Sequence, residues 1–137
     1  MVKTYYPDGF RKRAGCVCFR DDTEREILLV SSIKSPNSWT IPSGSVEPKE
    51  EFHQAAVREV VEEAGVKGVL GRCIGVFDYT EKKRRTTLYA LLVTEMFDEW
   101  KDMDRGRKRK WFIKSNILPN LKPNERGWMC RALQIDQ

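Results

Sequence analysis

The chain has 137 residues, a net charge of +5, and a composition of 40% hydrophobic and 33% charged residues. That length suits a single domain, residues 1–137, able to bury roughly two-thirds of its unfolded surface. The balance excludes a disordered polymer, and apolar runs as short as 90–93 exclude a membrane-spanning helix.

In chain order, residues 14–20 alternate small and β-branched side chains and predict a strand, and 27–32 predict its returning partner after the polar turn 21–26. Residues 34–38 form a proline-bearing loop, and 39–49 run from a short extended piece into a Gly/Pro/Ser loop. A helix is expected over about 50–64, with Gly65 as its capping glycine. Two long strands, 69–80 and 86–97, flank the basic turn 81–85, and 107–113 is a further strand. Ser115 is expected to cap a short helix, and Trp128, Ala132 and Leu133 in the tail have near-helical spacing. Strands before, between and after helices imply the α/β (α+β) class, a mixed sheet with helices on its faces.

The amino-terminal stretch lacks the apolar core of a secretion signal, and Cys16, Cys18, Cys73 and Cys130 have no zinc-like spacing. Reduced, mostly buried thiols and a cytoplasmic location, with the nucleus as a further compartment, are therefore expected. Trp39 and Trp111 are expected in the core, and the lone His53 without a catalytic role. Basic residues cluster at 11–13, 82–85 and 105–110, which suggests a polyanionic partner; a solvated surface is the alternative for each cluster alone.

Against this basic background, the helix collects Glu59, Glu62 and Glu63. At about 100° per residue they share an arc of about 100°, at the edge of an apolar stripe of Ala56, Val57, Val60, Val61 and Ala64. Like charges at such spacings destabilise a helix by about 0.2–0.5 kcal/mol per pair, more when half-buried. A divalent cation reverses the sign, and oxygen-rich carboxylate sites suit Mg²⁺ or Mn²⁺. Taken alone, the run reads as a Glu-rich surface helix rather than a metal site.

The wider spacing, G-x5-E-x7-R-E-U-x-E-E-x-G-U with U aliphatic, runs from Gly44 through Glu50, Arg58 and the three acids to Gly65 and Val66. Segment 44–66 resembles a complete Nudix box. The resemblance implies an α/β/α sandwich with the box as loop–helix–loop, and a metal-dependent hydrolase of diphosphates linked to a further group. By position, Glu59, Glu63 and the Gly44 carbonyl would bind Mg²⁺ or Mn²⁺, Glu62 would serve as base or orient the attacking water, and Glu50 would pair with Arg58.

Segments 11–20, 27–48, 64–86 and 106–112 resemble the diphosphoinositol polyphosphate phosphohydrolases in particular. That likeness implies phosphate-binding positions at Arg11, Lys12, Arg13, Ser32, Lys34, Ser43, Gly44, Ser45, Lys82, Lys83, Arg84, Arg107 and, across a gap, Lys122. It implies a polyphosphorylated small-molecule substrate and a monomer with no membrane partner. Dinucleoside polyphosphates, capped RNA ends, or binding of inositol phosphate or RNA without catalysis are the alternatives. The chain departs from that pattern at Ser43 and Ser45, where three successive glycines are usual. It also departs at Lys34, where arginine is expected, and at Lys110, where relatives carry glutamate.

Overall fold

The computed structural model of the chain describes residues 2–135. Its strands are β1 (Arg11–Phe19), β2 (Glu26–Ser31), β3 (Trp39–Thr40), β4 (Ser43–Ser45), β5 (Val66–Tyr79), β6 (Arg84–Met96) and β7 (Arg109–Ile113). Helices α1 (Phe52–Ala64) and α2 (Pro123–Leu133) complete the set, with short 3₁₀ turns between. The strand order is β3-β2-β1-β6-β5, with β4 pairing β1 and β7 pairing β2. Only β1 and β6 among these neighbours run parallel, from Arg11 beside Arg84 to Phe19 beside Leu92. The expected mixed sheet is present. Residues 43–45, expected as loop, form a short strand with Ala14 opposite Gly44.

Because β1 is central, both of its faces are buried. Ala14, Cys16 and Cys18 point into one core with Ala55, Ala56, Val60 and Ala64 of α1. Val17 and Phe19 point into the other, with Trp128 and Met129 of α2. Alternation along β1 thus assigns each side chain to one helix layer, and the α/β/α sandwich follows. Trp39 meets Phe112 edge-on at 5.1 Å, and Trp128 stacks on Phe77 at 5.5 Å, so both tryptophans are packing residues. All four cysteines are free thiols, though only Cys16 and Cys18 are buried. No helix among the described residues is long and apolar enough to cross a membrane.

Helix α1 begins two residues later than the sequence suggests, because Gln54 Oε1 turns back to accept the Glu51 N–H at 2.8 Å. It ends at Gly65, whose φ of 65° is left-handed and whose N–H donates to the Val61 carbonyl. Arg109 fixes that end from outside. It donates to the carbonyls of Ala64, Gly65 and Phe97 at 2.9, 3.1 and 2.6 Å and lies over the Trp100 ring. The buried stripe differs from the apolar stripe. Val57 is exposed, whereas Glu59 and Glu63 are buried among Ala55, Ala56, Val60 and Ala64. The acids lie within the packed face rather than at its edge: Glu59 is pressed against Gly44, and Glu63 accepts the Ser43 N–H.

Ser115 caps nothing; it lies inside a 3₁₀ turn, Lys114–Asn116. The tail does form a helix, and Pro123 opens it where a missing N–H is tolerated. In its first turn Glu125 is buried and accepts the Thr40 hydroxyl at 2.6 Å and the Ile41 N–H at 2.9 Å. Burial pushes the Glu125 carboxyl above its usual 4.5, with those two hydrogen bonds opposing. A raised carboxyl binds its proton more tightly folded than unfolded, so stability present below pH 4.5 declines as pH rises through the folded value. Glu125→Gln removes this proton. Urea unfolding from pH 4 to 8 is expected to show a shallower loss of stability for the variant, with the two chains converging at the acid end.

Candidate active site

A cavity of about 500 Å³ opens beside the amino end of α2. Of the positions expected to bind phosphate, Arg13, Ser32, Lys34, Ser43, Lys82, Arg84, Arg107 and Lys122 line it, and Glu63 forms part of its wall. Tyr79, Thr40, Ile41, Pro123 and Asn124 also line it, and none of these was expected from sequence. Five of the expected positions lie outside its lining, Gly44 among them, which is pressed against the Glu59 carboxyl. Lys12 points to the α1 side of β1, over the Tyr6 ring and into a separate hollow near Phe52, because it is out of phase with Arg11 and Arg13. Lys83 is the left-handed residue closing the turn after β5. Ser45 presents its carbonyl to Arg58 at 2.9 Å. Arg11 is not in the lining: it pairs with Arg84 across β1 and β6, and its buried Nε has no hydrogen-bond partner among the described residues.

The cationic wall is built against its own repulsion. Arg13 donates through one terminal nitrogen to the Ser43 carbonyl at 3.2 Å and hydroxyl at 3.0 Å. Burial, then the neighbouring Arg84 and Arg11, push its guanidinium down to about 10, with Glu63 and Glu59 pulling the other way. Burial and Arg84 likewise lower Arg11. Arg107 is held differently. Its Nε donates to Asp102 at 3.0 Å and one terminal nitrogen donates to the Ser31 carbonyl at 2.9 Å. Its other terminal nitrogen makes no hydrogen bond among the described residues. Asp102 lies in a 3₁₀ turn, Lys101–Arg105, that carries no periodic signal in the sequence.

The acids lie behind this wall. The Ser43 N–H donates to Glu63 Oε1 at 3.1 Å. The Glu59 carboxyl fills the space a side chain at Gly44 would need, so only glycine permits this approach. Arg58 ties the group together: it forks onto Glu50 at 2.7 and 2.9 Å, reaches Glu59 at 2.6 Å and Glu62 at 3.5 Å, and bonds the Ser45 carbonyl. The expected Glu50–Arg58 pair is therefore one arm of a larger hub, which lowers the Glu50 carboxyl. Glu62 stands apart from the buried pair, half-exposed and 3.7 Å from Lys101.

Burial, then the adjacent Glu59, push the Glu63 carboxyl well above its ordinary value, with Arg107 and Arg13 opposing. Two buried acids in contact call for a cation, and a donor set of oxygens without His or Cys suits a hard divalent ion. Among the described residues, no three His, Cys, Asp or Glu side chains converge on one point. Lys110, exposed and over the Phe112 ring, takes no part in either set. Gly44→Ala would displace the Glu59 carboxyl. Calorimetric titration with Mn²⁺ is expected to show affinity reduced by at least about tenfold, as loss of a ligand's support does.

The NUDIX domain family model matches residues 9–131. Diphosphoinositol polyphosphate phosphohydrolase 2 of Mus musculus is 54% identical over 113 residues, covering 82% of this chain and 63% of the relative. Diphosphoinositol polyphosphate phosphohydrolase 3-beta of Homo sapiens is 55% identical over 114 residues, covering 82% of this chain and 70% of the relative. The match thus spans under two-thirds of the type 2 relative's length. Among solved structures, a NUDIX hydrolase from Nitrosomonas europaea superposes with a TM-score of 0.74 at 22% identity, over 90% of this chain and 87% of that one. An Ap4A hydrolase of C. elegans does so with a TM-score of 0.64 at 23% identity, over 90% and 94%. These two likenesses show a shared fold. With its family model matched over most of its length and relatives more than half identical, the chain belongs to the NUDIX family, in the branch of the diphosphoinositol polyphosphate phosphohydrolases.

Proposed function

We propose that this chain is a pyrophosphohydrolase that cleaves the diphosphate group of diphosphoinositol polyphosphates, acting with Mg²⁺ or Mn²⁺. The observation that carries this reading is the cavity itself. Arg13, Lys34, Lys82, Arg84, Arg107 and Lys122 converge on it from separate parts of the chain, with Glu63 of the buried acid pair at its wall. A ring bearing many phosphates presents negative charge on several sides at once and needs cations in that arrangement. A nucleoside needs stacking faces, and Tyr79 is the one aromatic residue in the lining. The named activity of the relatives agrees with this choice.

In this reading Glu59, Glu63 and the Gly44 carbonyl hold the divalent ion that NUDIX hydrolases generally use. Bound there, the ion would lower the pKa of the attacking water and offset charge on the departing oxygen. Arg107 and Arg13, already oriented by Asp102 and Ser43, hold the phosphates without losing side-chain freedom on binding. Glu62 accepts the proton as a water oxygen bonds to the terminal phosphorus. The phosphoanhydride P–O bond breaks, orthophosphate leaves, and the bridging oxygen remains on the inositol phosphate. Arg58 keeps Glu62 and Glu59 in register on successive turns of α1.

Glu62→Gln is expected to lower kcat by at least about 100-fold, the usual cost of losing a general base, while circular dichroism and melting temperature stay at wild-type values. The variant should be assayed beside wild type with Mg²⁺ and with Mn²⁺, on a diphosphoinositol polyphosphate and on a diadenosine polyphosphate. Wild-type turnover of the inositol compound by the variant would remove Glu62 from the chemistry. A higher kcat/KM on the dinucleotide for wild type would overturn the substrate.

A further inference from the structure

The buried carboxylate of Glu125 has no place in the chemistry above, yet it occupies a particular junction. It sits in the first turn of α2, where a negative charge favours the helix amino end. Instead of capping its own helix, it reaches across and takes two hydrogen bonds from the opposite wall, the Thr40 hydroxyl and the Ile41 N–H. Both of those residues line the cavity, and so do Lys122, Pro123 and Asn124 immediately before Glu125. Beneath the cavity lies a narrower crevice of about 60 Å³ that Glu125 shares with Arg13, Arg84 and Lys122. The peptide it grips continues through Pro42, whose carbonyl accepts the Cys16 N–H, into Ser43, which contacts both Arg13 and Glu63.

We propose that Glu125 is a positioning residue for polyphosphate binding: its carboxylate clamps the amino end of α2 to the Thr40–Ile41 wall and so holds Lys122 over the cavity. This rests on the polyphosphate reading of the site. Lys122 is the cap residue of α2 and has no ion-pair partner of its own among the described residues, so its location depends on where the helix begins. Glutamine can replace the clamp, with its oxygen accepting from Ile41 and its N–H donating to the Thr40 hydroxyl. Alanine cannot.

The test uses the full chain, with calorimetric binding of inositol hexakisphosphate, which has no diphosphate to cleave, alongside turnover of a diphosphoinositol polyphosphate. Glu125→Ala is expected to weaken binding and raise KM by about tenfold with kcat within about twofold, and Glu125→Gln to stay within about threefold of wild type. Lys122→Ala should cost about tenfold in the wild-type background and little in Glu125→Ala, because a displaced lysine has nothing left to lose. If Glu125→Ala does not fold, Thr40→Val removes one arm of the clamp, and the Lys122 effect should shrink there too. Undiminished Lys122→Ala effects in Glu125→Ala or Thr40→Val overturn the inference, as does a fall in kcat alone that tracks the unfolded fraction. Wild-type chain that binds the hexakisphosphate but hydrolyses no diphosphate would overturn the functional reading and leave the clamp standing on the binding data. Failure to bind it would overturn both.

Discussion

Two carboxylates pressed together inside a packed interface are the constraint around which this molecule is arranged. Glu59 and Glu63 project from the buried face of α1 toward β4, where Gly44 leaves room for the Glu59 carboxyl and the Ser43 N–H meets Glu63. The helix can lie so close only because its remaining contact residues are alanines and one valine. Arg58 offsets part of the repulsion by bonding Glu59 from the exposed side while anchoring Glu50 and the Ser45 carbonyl. The remainder is left as the raised proton affinity of Glu63, a deficit that a hard divalent ion would correct.

The opposite imbalance lies a few residues away. Arg11, Arg13 and Arg84 are brought together by the parallel register of β1 and β6, and none of them forms an ion pair among the described residues. Ser43 stands between the two sets, with its N–H on Glu63 and its carbonyl and hydroxyl on Arg13. The serine that replaces a usual glycine therefore orients a cation, and its hydroxyl is engaged before any phosphate arrives. Uncompensated acids call for a metal and uncompensated arginines call for an anion. A metal–polyphosphate complex satisfies both, which is why the two imbalances are best understood together.

Much of this was legible beforehand, for identifiable reasons. The spacing from Gly44 to Val66 encodes one loop and one helix, so local periodicity carried the acids, the Glu50–Arg58 pair and the Gly65 cap. The basic clusters marked Arg13, Arg84 and Arg107 because a run of cations is visible without a fold. Which member of a run faces inward was not visible. β1 is apolar on both faces, so its pattern does not distinguish Lys12 from Arg13, and only the position of the helices does. Val57 was misplaced for a related reason: hydrophobicity identifies what could be buried, whereas the close approach of β4 at Gly44 and Ser43 buries two glutamates. Glu125 and Asp102 escaped notice because a buried acid and a solvated one are the same letter. Their partners, Thr40, Ile41 and Arg107, become neighbours only through tertiary contact.

The parallel pairing of β1 with β6 also bears on how the chain reaches this state. On its β6 side Arg11 lies beside Arg84 and Phe19 beside Leu92, so the centre of the sheet closes across an intervening stretch that holds β2, the whole box and β5. Contacts so distant along the chain make folding slow, because loop-closure entropy is lost before the pairing returns anything. Emerging from a ribosome, the apolar strand β1 keeps that edge unpaired until β6 has been synthesised, an exposed edge of the kind that invites misassembly.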